Sequence, residues 1–171
     1  MPGRNMTILV RTETPGDRDA IRSVNKAAFG VSVEADLIDR LRADGDLLLS
    51  LVAEGENGIV GYCGFSRLTI EKNGEHANGV SLGPVAVLPR EQKHGIGQKM
   101  VRDGITRLKA MGETLIIVLG EPAYYSRFGF DVAAAAAFRT PYDGPYLQAL
   151  RLSDGAPTGG DVRYAAAFAS L

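Results

Sequence analysis

Two glycine turns constrain the fold of this chain more than any other feature of its sequence. Glu56-Asn57-Gly58 separates an apolar run at residues 47–54 from a second run at 59–70, and Asn73-Gly74 separates the second from a third at 80–88. Asparagine before glycine favours the tight turns of β-hairpins, because both residues tolerate a positive φ. The sequence therefore predicts three consecutive antiparallel strands.

Helical patterns precede and follow these strands. After a first strand at residues 7–12, the helix-start pair Thr14-Pro15 introduces apolar residues at spacings of three and four, and a second helix surrounds residues 37–41. A third helix at residues 96–108 precedes an apolar strand at 115–119. This order predicts an α/β (α+β) fold with a mixed, mostly antiparallel central sheet and helices on both faces.

Length and composition exclude several classes of protein. The 171 residues suit a single domain at 1–171, with a core at about 7–132 and C-terminal strands, including 147–152 and 162–168, at about 133–171. A net charge of −1 argues against a nucleic-acid binder. One cysteine, Cys63, and two histidines argue against a metal site. No apolar run approaches the roughly 20 residues of a membrane span, so no membrane partner is expected and the cytoplasm is the default compartment.

The segment after the third of these strands carries a candidate anion site. The strand is interrupted by Gly83-Pro84 and leads into a loop with Gly95 and Gly97 at the start of the third helix. Unpaired N–H groups and the positive end of the helix dipole favour an anion there. The glycine spacing does not fit a Walker P-loop, and Met100 stands where a dinucleotide fingerprint needs its last glycine.

The loop Gln92-Lys93-His94-Gly95-Ile96-Gly97 fits the pattern [QR]-x-x-G-x-[GA]. Further along the chain, residues 124–130 (Y-Y-S-R-F-G-F) are similar to the signature Y-x-[KR]-x-G-F. On these motifs the sequence resembles the GNAT superfamily of acyl-CoA-dependent N-acyltransferases, in particular a bacterial subgroup. The resemblance implies acetyl-CoA as the acyl donor, a bulged fourth strand at Gly83-Pro84, and no metal. It implies cofactor contacts from the backbone of Val85, Ala86 and Val87 and from Gln92, Lys93, His94, Gly95, Ile96, Gly97 and Gln98.

The same resemblance implies Tyr125 as the general acid that protonates the departing thiolate. The general base is open. Many family members use a carboxylate on the fourth strand, whereas this chain has Ser81 there, which can only relay a proton through water. Glu34 follows the first helix, where the family binds the acceptor, and it is either the base or a solvated surface residue.

The expected function is transfer of an acetyl group from acetyl-CoA to a primary amine by direct attack. Two alternatives stay open: an acyl-CoA-binding module with little catalysis, which the missing carboxylate favours, and transfer of a longer acyl group. The acceptor amine is not identified by the sequence. Homodimers are common in the family, so a homodimer is a further possibility.

Overall fold

The computed structural model describes residues 7–170. The predicted single domain also includes residues 1–6 and 171, which lie outside the described residues. The strands are β1 (Leu9–Thr12), β2 (Leu47–Gly55), β3 (Gly58–Lys72), β4 (Glu75–Val87), β5 (Leu115–Leu119), β6 (Phe138–Arg139), β7 (Leu147–Arg151) and β8 (Gly160–Tyr164). The α-helices are α1 (Arg18–Phe29), α2 (Val33–Ala43), α3 (Ile96–Ala110), α4 (Pro122–Tyr125) and α5 (Val132–Ala135), with 3-10 turns at Pro15–Asp17, Pro89–Glu91, Ser126–Phe128 and Ala166–Ser170.

The eight strands form one sheet in the order β1-β2-β3-β4-β5-β7, with β8 paired to β3 and β6 paired to β8. The β4–β5 and β6–β8 pairs are parallel and the other pairs are antiparallel. The predicted mixed, mostly antiparallel sheet with helices on both faces is therefore confirmed. None of the helices within residues 7–170 combines the length and the apolar composition that crossing a membrane requires.

Two predicted strand boundaries are wrong. The fourth strand was expected at residues 80–88 but begins at Glu75, because the polar residues after Asn73-Gly74 pair with the end of β3 as a long hairpin. The strand expected at 162–168 ends at Tyr164, and Ala166–Ser170 forms a 3-10 turn. Alanine has little preference for a strand, so the apolar run there was misleading.

The two faces of the sheet are covered by different helices. On one face, Met100 and Val101 of α3 pack against Phe65, and Gly104 lets the helix approach the sheet because a Cβ there would lie 2.3 Å from the Phe65 ring. On the opposite face, α1 and α2 cover Tyr62 and Ala86 through apolar residues, namely Ile21, Val24 and Ile38.

A bulge separates β4 from β5 and opens a cleft. Cys63 pairs with Val85 and Phe65 pairs with Leu82, so that Gly64 alone faces the two residues Gly83-Pro84. The predicted bulge in the fourth strand is thus confirmed. The pairing of β4 with β5 ends with Leu82 opposite Val118. Beyond this pair the two strands are no longer joined, which leaves the following part of β4 with a free edge.

Candidate active site

A groove of about 360 Å³ lies between the free edge of β4, the start of α3 and α4. Its lining comprises Val85, Val87, Glu91, Gln92, Lys93, Gly95, Ile96, Gly97, Gln98, Tyr124 and Tyr125. Most of the predicted cofactor residues are therefore brought together with Tyr125. Two are placed elsewhere: the Ala86 side chain packs beneath α1, and His94 is exposed outside the lining.

The start of α3 presents backbone N–H donors to this groove. Lys93 and Gly95 have left-handed φ values of 68° and 79°, and Gly95 is the N-cap residue immediately before the helix. The amide of Lys99 donates to the Gly95 carbonyl at 3.0 Å. The amides of residues 96–98 precede this bond and have no carbonyl within the helix to reach. Together with the positive end of the helix dipole they form a site for an anion such as a pyrophosphate.

Gly97 lets other groups approach this helix start closely. A Cβ at Gly97 would lie 3.1 Å from the Tyr124 hydroxyl and 3.8 Å from the nearest methyl group of Val85. Glycine at this position therefore adds no side-chain atom of its own to the narrow space between the helix and β4. The residues present fit a phosphate group held against the backbone.

The free edge of β4 offers hydrogen-bonding groups along the groove. The Leu88 amide donates to the Val60 carbonyl of β3, and the Val87 carbonyl on the other edge accepts from Gln92 Nε2 at 3.0 Å. Backbone groups alternate between the two edges of a strand, so Val85 and Val87 turn theirs toward the groove whereas Ala86 turns its own toward β3. An extended chain with amide groups can pair with this edge as an added strand does.

Cations flank the groove. Lys93 lies in its lining, the Arg127 guanidinium stacks 4.6 Å from the centre of the Tyr124 ring, and Arg102 lies 5.0 Å from the centre of the Phe128 ring. Tyr124 and Arg127 were not among the predicted site residues, although both belong to the Y-Y-S-R-F-G-F motif. Two other cations of α3 are engaged within the chain: Lys99 donates to the carbonyl of Ile8, and Arg107 pairs with Asp103.

Tyr125 is held by aromatic neighbours and by Gly120. Its ring contacts Tyr124 and Phe130 edge-on, with centroids 5.0 and 5.9 Å apart. A Cβ at Gly120 would lie 2.3 Å from Tyr125 Cε2, so only glycine leaves room for the ring. Burial raises the pKa of Tyr125 to about 12. Like an ordinary tyrosine, this phenol is protonated at neutral pH and can donate a hydrogen bond or a proton, although burial makes it a weaker acid than an exposed tyrosine.

The two other candidate catalytic residues, Ser81 and Glu34, are associated with the opposite face of the sheet. Ser81 is buried on β4 opposite Ser66. Glu34 lies in the first turn of α2, three and four residues before the buried Leu37 and Ile38, and therefore on the same inward side of the helix. Its Oε2 is buried and has no hydrogen-bond partner among the described residues.

Asn25 was missed by the sequence analysis. It is completely buried in α1, where its Nδ2 donates to the Ile21 carbonyl at 2.8 Å, and its Oδ1 has no partner within residues 7–170. The only signal in the sequence is a polar residue within the apolar stripe formed by Ile21, Val24 and Ala28. An unpaired buried acceptor is costly, so a donor such as an ordered water is expected beside it.

A cysteine nucleophile is excluded by burial. Cys63 is fully buried between neighbouring strands, and burial raises the pKa of its thiol, so the thiolate does not form near neutral pH. Within the described part of the chain, no group of three or more histidine, cysteine, aspartate or glutamate residues is arranged to hold a metal ion.

An anion-binding helix start beside a bulged, splayed strand is the arrangement expected of an acyl-CoA-dependent transferase. The model of the acetyltransferase (GNAT) domain matches residues 9–133. The uncharacterized N-acetyltransferase YhbS of Escherichia coli K12 is 36% identical over 155 residues, covering 89% of this chain and 92% of YhbS. The E. coli K12 protein YjhQ, also an uncharacterized N-acetyltransferase, is 38% identical over 132 residues, covering 75% of this chain and 73% of YjhQ.

Solved structures agree with these sequence matches. The crystal structure of E. coli YhbS in complex with CoA aligns with a TM-score of 0.87 at 32% identity, covering 99% of this chain and 96% of that one. A GNAT acetyltransferase from Brucella melitensis in complex with acetyl-CoA aligns with a TM-score of 0.80 at 37% identity, covering 94% and 97%. The chain belongs to the GNAT family of N-acetyltransferases, and it is an acyltransferase.

Proposed function

We propose that this enzyme transfers the acetyl group of acetyl-CoA directly to the nitrogen of a primary amine. The observation that carries the proposal is the continuity of the groove: the donor-rich start of α3 leads without interruption to the free edge of β4. A long substrate with a pyrophosphate at one end and an amide-bearing arm at the other matches this groove: the pyrophosphate suits the start of α3, and the arm suits the free edge of β4. The related structures from E. coli and Brucella melitensis, which contain CoA and acetyl-CoA, support this choice of donor.

The donor is held by backbone groups more than by side chains. Residues 92–98 receive the pyrophosphate, and the edge groups of Val85 and Val87 pair with the amides of the pantetheine arm. The amide of Val85 also donates to the thioester carbonyl oxygen as negative charge develops there. This arrangement places the thioester beside the cleft between β4 and β5, through which an acceptor on the opposite face of the sheet can reach it.

Tyr125 acts as the general acid. The amine nitrogen forms a bond to the carbonyl carbon, the carbon–sulfur bond breaks, and the sulfur takes the phenolic proton of Tyr125. A thiol has a pKa near 8.5, so its thiolate is already a competent leaving group. The tyrosine therefore accelerates departure of the thiol without being indispensable.

Glu34 is the proposed proton acceptor for the incoming ammonium group. An ammonium must lose a proton before its nitrogen can attack, and Glu34 Oε2 is a buried carboxylate oxygen without a partner. Ser81 lies on the same face and serves as a relay through water rather than as a base. This assignment favours catalysis over a binding module, because it supplies the carboxylate that β4 lacks.

Titration calorimetry with acetyl-CoA and with coenzyme A tests the donor site. The Gly95→Asp/Gly97→Asp double variant adds negative charge and side-chain atoms at the start of α3, and we expect at least about a hundredfold weaker binding. Gly45→Asp is the matched control, because Gly45 also has a left-handed φ, of 76°, and open space around its Cβ position. Failure of folded wild-type protein to bind acetyl-CoA, or equal binding by the double variant, would refute the donor site.

A further inference from the structure

The end of β5 is paired on one side only. Its pairing with β4 stops at Val118, whereas its pairing with β7 continues through Leu119, which lies opposite Leu147. Directly after the strand, the Gly120 amide donates to the Tyr146 carbonyl at 3.0 Å. One side of this segment therefore borders the cleft, and β7 with the residue before it supplies the hydrogen bonds on the other side.

Gln148 of β7 adds a side-chain hydrogen bond to this pairing. It lies opposite Val118, so its side chain is on the face covered by α3, where it is fully buried. Its Nε2 donates to the Gly120 carbonyl at 3.0 Å and lies 3.4 Å from the Tyr146 carbonyl. Because an amide nitrogen only donates and a carbonyl oxygen only accepts, this side chain joins the two segments.

Gly120 is also the residue against which the Tyr125 ring packs. An ideal Cβ at Gly120 would lie 2.3 Å from Tyr125 Cε2. The carbonyl of Glu121, the next residue, accepts from the Tyr125 amide at 3.0 Å. Among residues 7–170 no hydrogen bond is formed by the Tyr125 hydroxyl. The position of this hydroxyl therefore depends on ring packing and on the backbone at 120–121.

Resting on the proposed role of Tyr125 as general acid, we infer that Gln148 is a positioning residue for this tyrosine. Gln148 is buried outside the groove lining, so it acts through the Gly120 carbonyl and not on a substrate. Removal of its donor frees the backbone at 120–121 on the side that faces β7, and the ring that packs there moves with it. A displacement of about 1 Å at a reacting group lowers a rate about a hundredfold.

Fluorine NMR of protein labelled with 3-fluorotyrosine tests the ring position directly, with acetyl-CoA present or absent. The Tyr125 resonance is assigned by its absence in Tyr125→Phe. Gln148→Met keeps the length of the side chain but has no donor, and we expect it to shift the Tyr125 resonance. An unmoved resonance in folded Gln148→Met overturns the inference, and this readout needs no acceptor amine.

Arg151→Met is the matched control. Arg151 also lies on β7 and donates from its side chain to two carbonyls, those of Asp154 at 2.9 Å and Ala156 at 3.3 Å. It pairs with Leu115 at the other end of β5. Its replacement removes the same kind of bond from the same strand, and it should change neither the Tyr125 resonance nor kcat.

Thiol release at saturating acetyl-CoA tests the consequence for catalysis. The acceptor is whichever of hexylamine, 2-phenylethylamine, spermidine and L-lysine reacts fastest with wild-type enzyme. Gln148→Met should lower kcat at least about tenfold with acetyl-CoA affinity unchanged, and in the Tyr125→Phe background it should lower kcat no further. A merely structural role would lower kcat in both backgrounds.

Gln148→Glu is a second variant of nearly the same shape. Its carboxyl can donate to the Gly120 carbonyl when protonated but not when ionised. Burial can raise a carboxyl pKa to about 8–9, so ionisation falls within a range that can be assayed. The ratio of its kcat to that of wild type should be highest at low pH and fall as pH rises; a ratio that does not fall overturns the inference.

The outcomes separate the inference from the proposed function. Full activity in Gln148→Met, or equal losses in both backgrounds, overturns the inference and leaves Tyr125 as the general acid. Wild-type activity in Tyr125→Phe overturns the general acid and the inference with it. Absence of product from all four amines counts against transfer to a primary amine, and the Tyr125 resonance then decides the inference.

Discussion

Gly120 leaves room for the ring of Tyr125, and its replacement by alanine should displace this proposed general acid. An ideal Cβ at position 120 would lie 2.3, 2.9 and 3.4 Å from three carbons of the Tyr125 ring. Ordinary carbon contacts begin near 3.4 Å, so the closest ring atom must retreat by about 1.1 Å. The φ of Gly120 is not left-handed, so alanine is compatible with the backbone and the steric contact alone decides the effect.

A displacement of this size predicts a large catalytic defect and a modest loss of stability. Misplacing a reacting group by about 1 Å lowers rates by about a hundredfold, and overpacking costs about 1–3 kcal/mol of unfolding free energy. We expect kcat of Gly120→Ala to fall about a hundredfold. Acetyl-CoA affinity should change little, because the start of α3 carries most of the donor's charge recognition.

The assay is thiol release at saturating acetyl-CoA, combined with thermal unfolding to verify that the variant is folded. Gly155→Ala is the control, because no atom lies within 4 Å of the added Cβ and the φ of Gly155 is not left-handed. Adding Gly120→Ala to Tyr125→Phe should lower kcat no further, since the displaced hydroxyl is already absent. A folded Gly120→Ala enzyme with kcat within about twofold of wild type would show that ring position is not critical.

Three further substitutions probe other parts of the molecule. Tyr125→Phe should lower kcat about ten- to a thousandfold in the thiol-release assay and leave the calorimetric affinity for acetyl-CoA unchanged. Glu34→Gln keeps the shape but removes the base, so kcat/KM should fall about a hundredfold or more; an unaltered rate would exclude Glu34 as the proton acceptor. The Arg11 guanidinium holds the pKa of Asp17 well below its usual range. That stabilisation is present above the usual carboxyl pKa and is lost as pH falls, so Asp17→Asn should cost about 2 kcal/mol in urea unfolding at pH 7 and less at pH 3.

The parts of the fold that could be predicted depend on local patterns. Asn73-Gly74 indicated the hairpin, and the spacing of Ile96 and Met100 indicated the buried side of α3. Both predictions were possible because turn chemistry and helical periodicity act over a few residues. The pairing of β8 with β3 joins residues such as Val162 and Ile70, which are far apart in the sequence. No local signal specifies such a pair, since burial of shared apolar surface decides it.

In the candidate site, too, the residues that are contiguous in the sequence could be predicted, whereas those that depend on tertiary packing could not. The loop that is predicted to bind phosphate is continuous in the sequence, so its residues could be predicted together. Asn25 and Glu34 each have a buried oxygen without a partner among the described residues, and no local signal in the sequence indicates this, because burial depends on how α1 and α2 pack. The backbone groups of Val85 point toward the groove and those of Ala86 point toward β3. The sequence alone could have predicted this difference, because neighbouring residues of a strand direct their backbone groups to opposite edges.

The position of the proposed base follows from the cost of burying charge. A carboxylate at position 81 would be enclosed between Ser66 and Ile117, with neither neighbour able to supply a counter-charge, and desolvation would favour its neutral form. In the first turn of α2, Glu34 is only partly buried and benefits from the positive end of the helix dipole. There the carboxylate has no ion pair among the described residues, and the substrate's ammonium group is its proposed partner. Placing the proposed base on the helix rather than on the sheet thus couples its use to acceptor binding.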